Sequence, residues 1–203
     1  MPGLAQQLNA PLRFVADGHT YSVGAVTLPS VTTLINGALV NYAGIPAAVL
    51  AHARDMGRAV HLATKLHDDG DLDEASLDPR IRPYLDAYLR FVAETDFKTH
   101  QSEQPLYHPK LLYAGTPDRA GMLDGALIVL DLKKMLVLSN WIGVQLAAYA
   151  ELLRVNGCQV KKRYALSLRN DGTYRLREFK SVDDWPCFLA LLAIVNWKEK
   201  YGR

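Results

Sequence analysis

Long apolar runs are missing from this chain of 203 residues. No stretch approaches the roughly 20 apolar residues that a membrane-spanning helix needs. The stretch Met1 to Ala16 carries no basic segment followed by an apolar signal core, so the expectation is a cytoplasmic protein with no membrane partner. Cysteine is scarce: Cys158 and Cys187 are too few for a thiolate-held iron-sulfur cluster and have no metal-ligand spacing. They read as reduced thiols. An excess of one charge is missing as well. The formal net charge of +2 does not diagnose nucleic-acid binding, so any such case must rest on where the charges sit. Repeats, low-complexity tracts and linkers are also absent, which leaves a single domain over residues 1–203 as the expectation. What is there is ordinary globular composition, 49% apolar and 22% charged, in a chain long enough to bury a core without disulfides.

Residues Arg13 to Val23 read as two short strands about an Asp17-Gly18 turn. Ser30 can cap a helix over Val31 to Val40, and Pro46 can start another over Ala47 to Leu66. The acidic, turn-rich stretch Asp68 to Asp78 reads as a solvated loop, after which helical spacing returns over Pro79 to Glu94. The period then changes. Ser102 to Tyr107, Leu111 to Thr116 and Ala126 to Leu132 look like strands, followed by a helix over Asn140 to Val155. Strands over Val160 to Leu168 and Tyr174 to Phe179 flank an Asp171-Gly172 turn, and a last helix begins near Asp183. This order predicts a mixed α/β or α+β domain.

Within that frame one constellation carries chemistry. In Asp131-Leu132-Lys133 the two-residue strand period puts the carboxylate and the amine on one face, with Leu132 in the opposite packing layer. The preceding Ile128-Val129-Leu130 is typical of a buried strand, so the charged pair emerges at a strand end. An acid-x-Lys triplet is expected by chance about once in a chain of ordinary composition, and Asp96-Phe97-Lys98 and Glu178-Phe179-Lys180 are further copies. Only Asp131 has a second carboxylate placed to join it: Asp118, in Gly115-Thr116-Pro117-Asp118, where Gly115 and Pro117 interrupt the strand. Two carboxylates can share a cation, and a nearby lysine can orient or activate water for phosphodiester hydrolysis.

Pro117-Asp118, Asp131-Leu132-Lys133 and the pair Gln145 and Tyr149, four apart on one helix face, occur in the order seen in the PD-(D/E)XK nuclease superfamily, which the chain resembles. Gln145 to Tyr149 is similar to the Q-x-x-x-Y helix of the RecB-like branch, and Gly57 to His61 to its G-x-x-x-H helix. His19 to Val23 and Pro29 to Thr33 look like segments of phage and mitochondrial exonucleases. The resemblance covers roughly His19 to Tyr149. It implies a restriction-endonuclease-like core, a central mixed sheet flanked by helices, with a helical N-terminal part. It further implies Mg²⁺ or Mn²⁺ held by His61, Asp118, Asp131 and the Leu132 carbonyl, with Lys133 near the water and Gln145 and Tyr149 supporting Lys133 or the DNA. The implied substrate is DNA, at single-stranded or duplex ends, in replication, recombination or repair, with a recombination or replication protein as a partner. Lys134 departs from the family, where many members have threonine, and no cysteine quartet for an iron-sulfur cluster is present.

Each of these residues also has a plainer reading. His61 can be a half-buried, hydrogen-bonded histidine, and Glu103 can either ligate a metal or join an edge-strand ion pair. Arg54, Arg58 and Lys65 share the His61 helix face as phosphate contacts or as a solvated basic face. Trp141 reads as a core aromatic. The cluster Lys161, Lys162, Arg163, Arg169, Arg175, Arg177 and Lys180 is either a groove for a phosphate backbone or a solvated sheet edge. An idle DNA-binding or assembly module built on the nuclease fold, and a nuclease acting on RNA, are the alternative functions.

Overall fold

The computed structural model describes residues 10–202; residues 1–9 of the stretch inspected for a signal core lie outside them. β1 (Leu12–Val15), β2 (Thr20–Val23) and β3 (Val26–Leu28) form an antiparallel sheet in that order. Asp17 and Gly18 lie in the first turn, closed by the His19 N–H on the Ala16 carbonyl at 3.2 Å. Gly18 adopts φ 79° there, a conformation glycine takes without strain. β3 is additional to the sequence expectation, because three residues are too few to display an alternation.

α1 (Val31–Asn36) starts as expected, with the Ser30 hydroxyl accepting from the Thr33 N–H at 3.1 Å. It stops short of the expected Val40. The Gly37 and Leu39 amides fold back onto the Thr33 and Ile35 carbonyls, at a residue type poor at extending a helix. α2 (Ala47–Asp69) begins after Pro46 and continues past Leu66 until Gly70, at φ 77°, caps it in the left-handed conformation. α3 (Arg82–Thr95) follows a short turn over Glu74–Ser76. No helix among the described residues is long and apolar enough to cross a membrane.

Next in chain order come β4 (Lys98–Ser102), the two-residue strands β5 (Leu106–Tyr107) and β6 (Ala114–Gly115), β7 (Arg119–Leu123) and β8 (Ala126–Lys133). α4 (Trp141–Val155), β9 (Lys162–Leu168), β10 (Tyr174–Glu178) and α5 (Asp184–Tyr201) complete the chain. The central sheet has the order β10-β9-β8-β7-β4. Only β8 and β9 pair in parallel; the other neighbours are antiparallel. The fold is therefore mixed α/β, with α4 as the crossover that a parallel pair requires.

Alternation along β8 divides the core in two. Ile128, Leu130 and Leu132 pack with Val60 and Ala63 of α2 and with Ala87, Tyr88 and Phe91 of α3. Val129 packs on the opposite face with α1, α4 and α5. Helices thus cover both faces, and β8 has no solvated side.

Three sequence expectations are corrected here. The strands expected at Ser102–Tyr107 and Leu111–Thr116 are instead β4, ending at Ser102, and the separate two-stranded β5–β6 sheet. β7 was not expected, because Arg119 and Gly121 break its apolar pattern; Gly121 is needed where the chain passes Phe97 and the Lys98 carbonyl. Asp68 is not in a solvated loop. It ends α2 under the sheet, accepting from the Tyr88 hydroxyl at 2.9 Å and from Arg119 Nε at 2.7 Å.

Two glycines give opposite expectations. A Cβ at Gly121 would lie 2.7 Å from the Phe97 ring and press on the Lys98 backbone, so Gly121→Ala should destabilise the protein by about 1–3 kcal/mol. A Cβ at Gly57, inside α2, meets nothing within 4 Å, so Gly57→Ala should stabilise by about 0.5–1 kcal/mol through backbone entropy. Urea unfolding of both variants checks the pair, and a stabilised Gly121→Ala would contradict the close approach.

Candidate metal centre

The end of β8 carries the first half of the site. Asp131 and Lys133 face α4, opposite to Leu132, as the strand period predicts. Lys133 Nζ lies 2.8 Å from Asp131 Oδ2 and donates to Gln145 Oε1 at 3.2 Å. The Gln145 amide donates to Asp131 Oδ1 at 3.0 Å and to the Tyr149 hydroxyl at 3.2 Å. One turn of α4 separates Gln145 from Tyr149, so both reach the same strand end. Asp131 is 1% exposed. Burial, only partly offset by Lys133, pushes its carboxyl up to about 6. Burial works against the Lys133 ammonium, but Asp131 and Asp118 outweigh it and raise its pKa above the ordinary lysine value. Lys133 therefore stays charged and acts as a donor. Burial beside the two carboxylates raises the Tyr149 phenol well above its usual value and keeps it neutral.

The second half comes from three elements. Asp118 immediately precedes β7, and its Oδ2 accepts from the Leu132 N–H at 2.7 Å. Its other oxygen lies 3.5 Å from Nδ1 of His61, on α2. Glu103 directly follows β4 at φ 49°, with its amide on the Asp118 carbonyl at 3.1 Å. Its carboxylate oxygen lies 3.3 Å from His61 Nδ1. A non-glycine residue at positive φ carries strain, and here that conformation turns Glu103 toward the other two ligands. Donor atoms of His61, Glu103 and Asp118 all lie within 4.8 Å of one another, so this group can hold a metal ion.

Both ring nitrogens of His61 face oxygen acceptors, since Nε2 lies 3.2 Å from the Leu132 carbonyl. Burial alone would lower the His61 pKa, but Asp118 and Glu103 overcome it and raise it to about 9. Burial likewise raises the Asp118 carboxyl, with His61 opposing. A site that draws a proton between a buried and a half-buried carboxylate attracts positive charge. One imidazole, two carboxylates and a neighbouring carbonyl suit a hard divalent cation such as Mg²⁺ or Mn²⁺.

Of the residues singled out from sequence, His61, Asp118, Asp131, Leu132, Lys133, Gln145 and Tyr149 lie in one contiguous region through these contacts. Asp131 is turned toward Lys133 and Gln145, whereas Glu103, a secondary candidate from sequence, stands with His61 and Asp118. The other two acid-x-Lys triplets form pairs away from it, Asp96 with Lys98 at 2.5 Å and Glu178 with Lys180 at 3.0 Å. Lys134 sits 5.5 Å from the Tyr84 ring centroid, and Trp141 stands 5.6 Å from Lys133 Nζ. Several candidate phosphate contacts are engaged within the protein: Arg58 with Asp55, Lys65 with Asp69, Arg163 with Asp184, and Arg177 on the Leu138 carbonyl. Sequence reasoning missed Arg119, which is fully buried beside Asp118. It also missed the Tyr21 hydroxyl, which lies 2.7 Å from Thr116 Oγ1 just before Pro117. Neither has a spacing signal, because both act through tertiary contacts.

The raised pKa values fix a sign. A group protonated more readily in the folded protein contributes stability below its unfolded pKa and loses it as pH rises through the folded one. For His61 that window runs from 6.5 to about 9, and for Asp131 from 3.8 to about 6. The ion-free protein should therefore lose stability from these groups as pH rises. Mn²⁺, which needs the His61 lone pair, should stabilise it more at pH 9 than at pH 6. Melting temperatures in EDTA and in Mn²⁺ at the two pH values check this; a larger Mn²⁺ effect at pH 6 would contradict the assignment.

No family model and no curated protein matches the chain. Among solved structures it is similar to a protein of Eubacterium rectale provisionally named an exonuclease, with 12% identity over 82% of this chain and 77% of that one and a TM-score of 0.47. It is also similar to LHK-Exo in complex with dAMP, with 14% identity over 86% and 93% of the two chains and a TM-score of 0.34. A second structure of LHK-Exo, an alkaline exonuclease from Laribacter hongkongensis, aligns at 12% identity over 85% and 92%, with a TM-score of 0.35.

Proposed function

We propose that this protein is a metal-dependent deoxyribonuclease of the PD-(D/E)XK type that hydrolyses phosphodiester bonds at DNA ends. The observation that carries the reading is the meeting, at one strand end, of a His61–Glu103–Asp118 cation group with the Asp131–Lys133–Gln145 network. A half-buried lysine held charged beside a cation group is suited to an anionic phosphate that must be brought close to both. The RecB-like resemblance of the Gly57–His61 and Gln145–Tyr149 motifs supports an exonuclease and a role in replication, recombination or repair.

His61, Glu103 and Asp118 would hold Mg²⁺ or Mn²⁺, with the Leu132 carbonyl beside them. Such an ion, when bound, stabilises the charge that develops on the phosphate and makes a water more acidic. Lys133, kept protonated by Asp131, donates hydrogen bonds and orients the water or a phosphate oxygen. Gln145 holds Lys133 and Asp131 together through both ends of its amide, and the Tyr149 hydroxyl fixes the amide's orientation.

End-labelled linear DNA, circular DNA and RNA, each incubated with Mg²⁺, Mn²⁺ or EDTA, test the proposal. Cleavage should require the cation, favour linear DNA and fall by about a hundred-fold or more in Lys133→Ala. Cation binding without cleavage would instead mark an idle DNA-binding module, and undiminished cleavage by Lys133→Ala would reject the site.

A further inference from the structure

We propose that Arg119 is a positioning residue for the cation site, setting its affinity by holding Glu103, Asp118 and the His61 helix in one arrangement; this rests on the metal-dependent reading above. The three ligands come from three separate elements: the body of α2, the residue after β4 and the residue before β7. Sheet pairing sets two of them against each other, with Ser102 opposite Arg119 and the Glu103 amide on the Asp118 carbonyl, but α2 lies outside that sheet. One side chain reaches all three. Arg119 Nη1 donates to the Asp118 carbonyl at 2.7 Å and stands 3.7 Å from Glu103 Oε1. Nη2 donates to Thr64 Oγ1 at 3.1 Å and Nε to Asp68 Oδ2 at 2.7 Å. Thr64 and Asp68 follow His61 by three and seven residues, so they continue its stripe along α2.

Arg119 is 0% exposed. A buried guanidinium is costly unless it is paired, and an apolar residue of similar volume would serve packing as well or better. Its planar fork accounts for its presence: several donors leave one rigid group in different directions, which a lysine does not offer. Asp68 is the counter-charge. The Asp68 carboxylate pairs with the guanidinium at Nε, while Nη1 stands 3.7 Å from Glu103, so without Asp68 an uncompensated positive charge would face the ligands. The Tyr88 and Thr99 hydroxyls hold the Asp68 carboxylate in place at 2.8 and 3.3 Å.

The test measures Mn²⁺ affinity by titration calorimetry on the full chain without DNA. Arg119→Lys, Glu103→Gln, their double variant and Asp68→Asn are compared, with melting in EDTA reporting the fold. Arg119→Lys should weaken Mn²⁺ binding about ten- to a hundred-fold. Glu103→Gln should then cost less in the Arg119→Lys background than in the parent. Asp68→Asn, which removes the charge but keeps one acceptor oxygen for Tyr88 and Thr99, should also weaken Mn²⁺. A folded Arg119→Lys with unchanged affinity, or losses that simply multiply with those of Glu103→Gln, overturns the proposal. If Arg119→Lys does not fold, an unchanged affinity in Asp68→Asn overturns it. A parent protein that binds no Mn²⁺ removes the cation site and this role together. Coupled Mn²⁺ binding without DNA cleavage leaves the positioning role standing and removes only the nuclease reading.

Discussion

A central strand covered on both faces must satisfy any charge it carries from within the protein, and β8 carries two. Asp131 and Lys133 sit where Val129 has already committed that side of the strand to the layer under α4. Water reaches Lys133 only in part and Asp131 hardly at all, so the two charges are paired internally and a neighbouring amide bonds to both. Leaving either charge without its partner would cost about 3–5 kcal/mol. The helix that supplies the amide is not free to lie elsewhere. As the crossover between parallel strands β8 and β9, α4 must pack back onto the sheet, where it covers Val129. Gln145 and Tyr149 therefore face the end of β8 because of topology, and their four-residue spacing aligns them along it.

The opposite face obeys a different constraint. There α2 meets the sheet, and His61 reaches the strand end at the Leu132 carbonyl. Asp118 joins the two halves, with one carboxylate oxygen on the Leu132 amide and the other toward His61. The backbone at Leu132 is thus gripped by both, its N–H by Asp118 and its C=O by His61. Small shifts of α2 relative to β7 would open this arrangement. The Asp68–Arg119 pair, its guanidinium fully buried and its carboxylate largely so, stands at that boundary and resists such a shift, since separating it would leave the buried guanidinium without its counter-charge.

What was legible in the sequence follows from range. Strand alternation and helix period act between near neighbours, so the Asp131–Lys133 face, the Gln145–Tyr149 stripe and the Ser30 cap were readable directly. Context picked one acid-x-Lys triplet from three because a buried strand leaves an apolar run, and the other two copies form pairs elsewhere. For Glu103 the sequence leaves metal ligand and edge-strand ion pair both open, because its placement depends on a positive φ, which a glutamate does not advertise. Arg119 and Asp68 were hidden for the same reason from opposite sides. A charge in a strand reads as an interruption and a charge in an acidic stretch as solvated, and only their meeting across 51 positions makes them an interior pair.

The charge inventory of the site links cation and substrate. Without an ion, His61 carries a proton between Glu103 and Asp118, and Lys133 balances Asp131. Exchanging the His61 proton for a divalent cation adds one positive charge to a space that burial keeps poorly screened. Lys133 cannot relieve it by losing its own proton, because Asp131 and Asp118 hold the ammonium charged. An anion does relieve it, and a phosphodiester brings one negative charge per phosphate. On the proposed reading, then, the cation and the DNA backbone favour each other's binding, and thermodynamic reciprocity requires the effect to be equal in both directions. The same balance explains why the lysine is half-buried beside a carboxylate partner: a fully exposed lysine would be screened by solvent ions and would contribute little to the coupling.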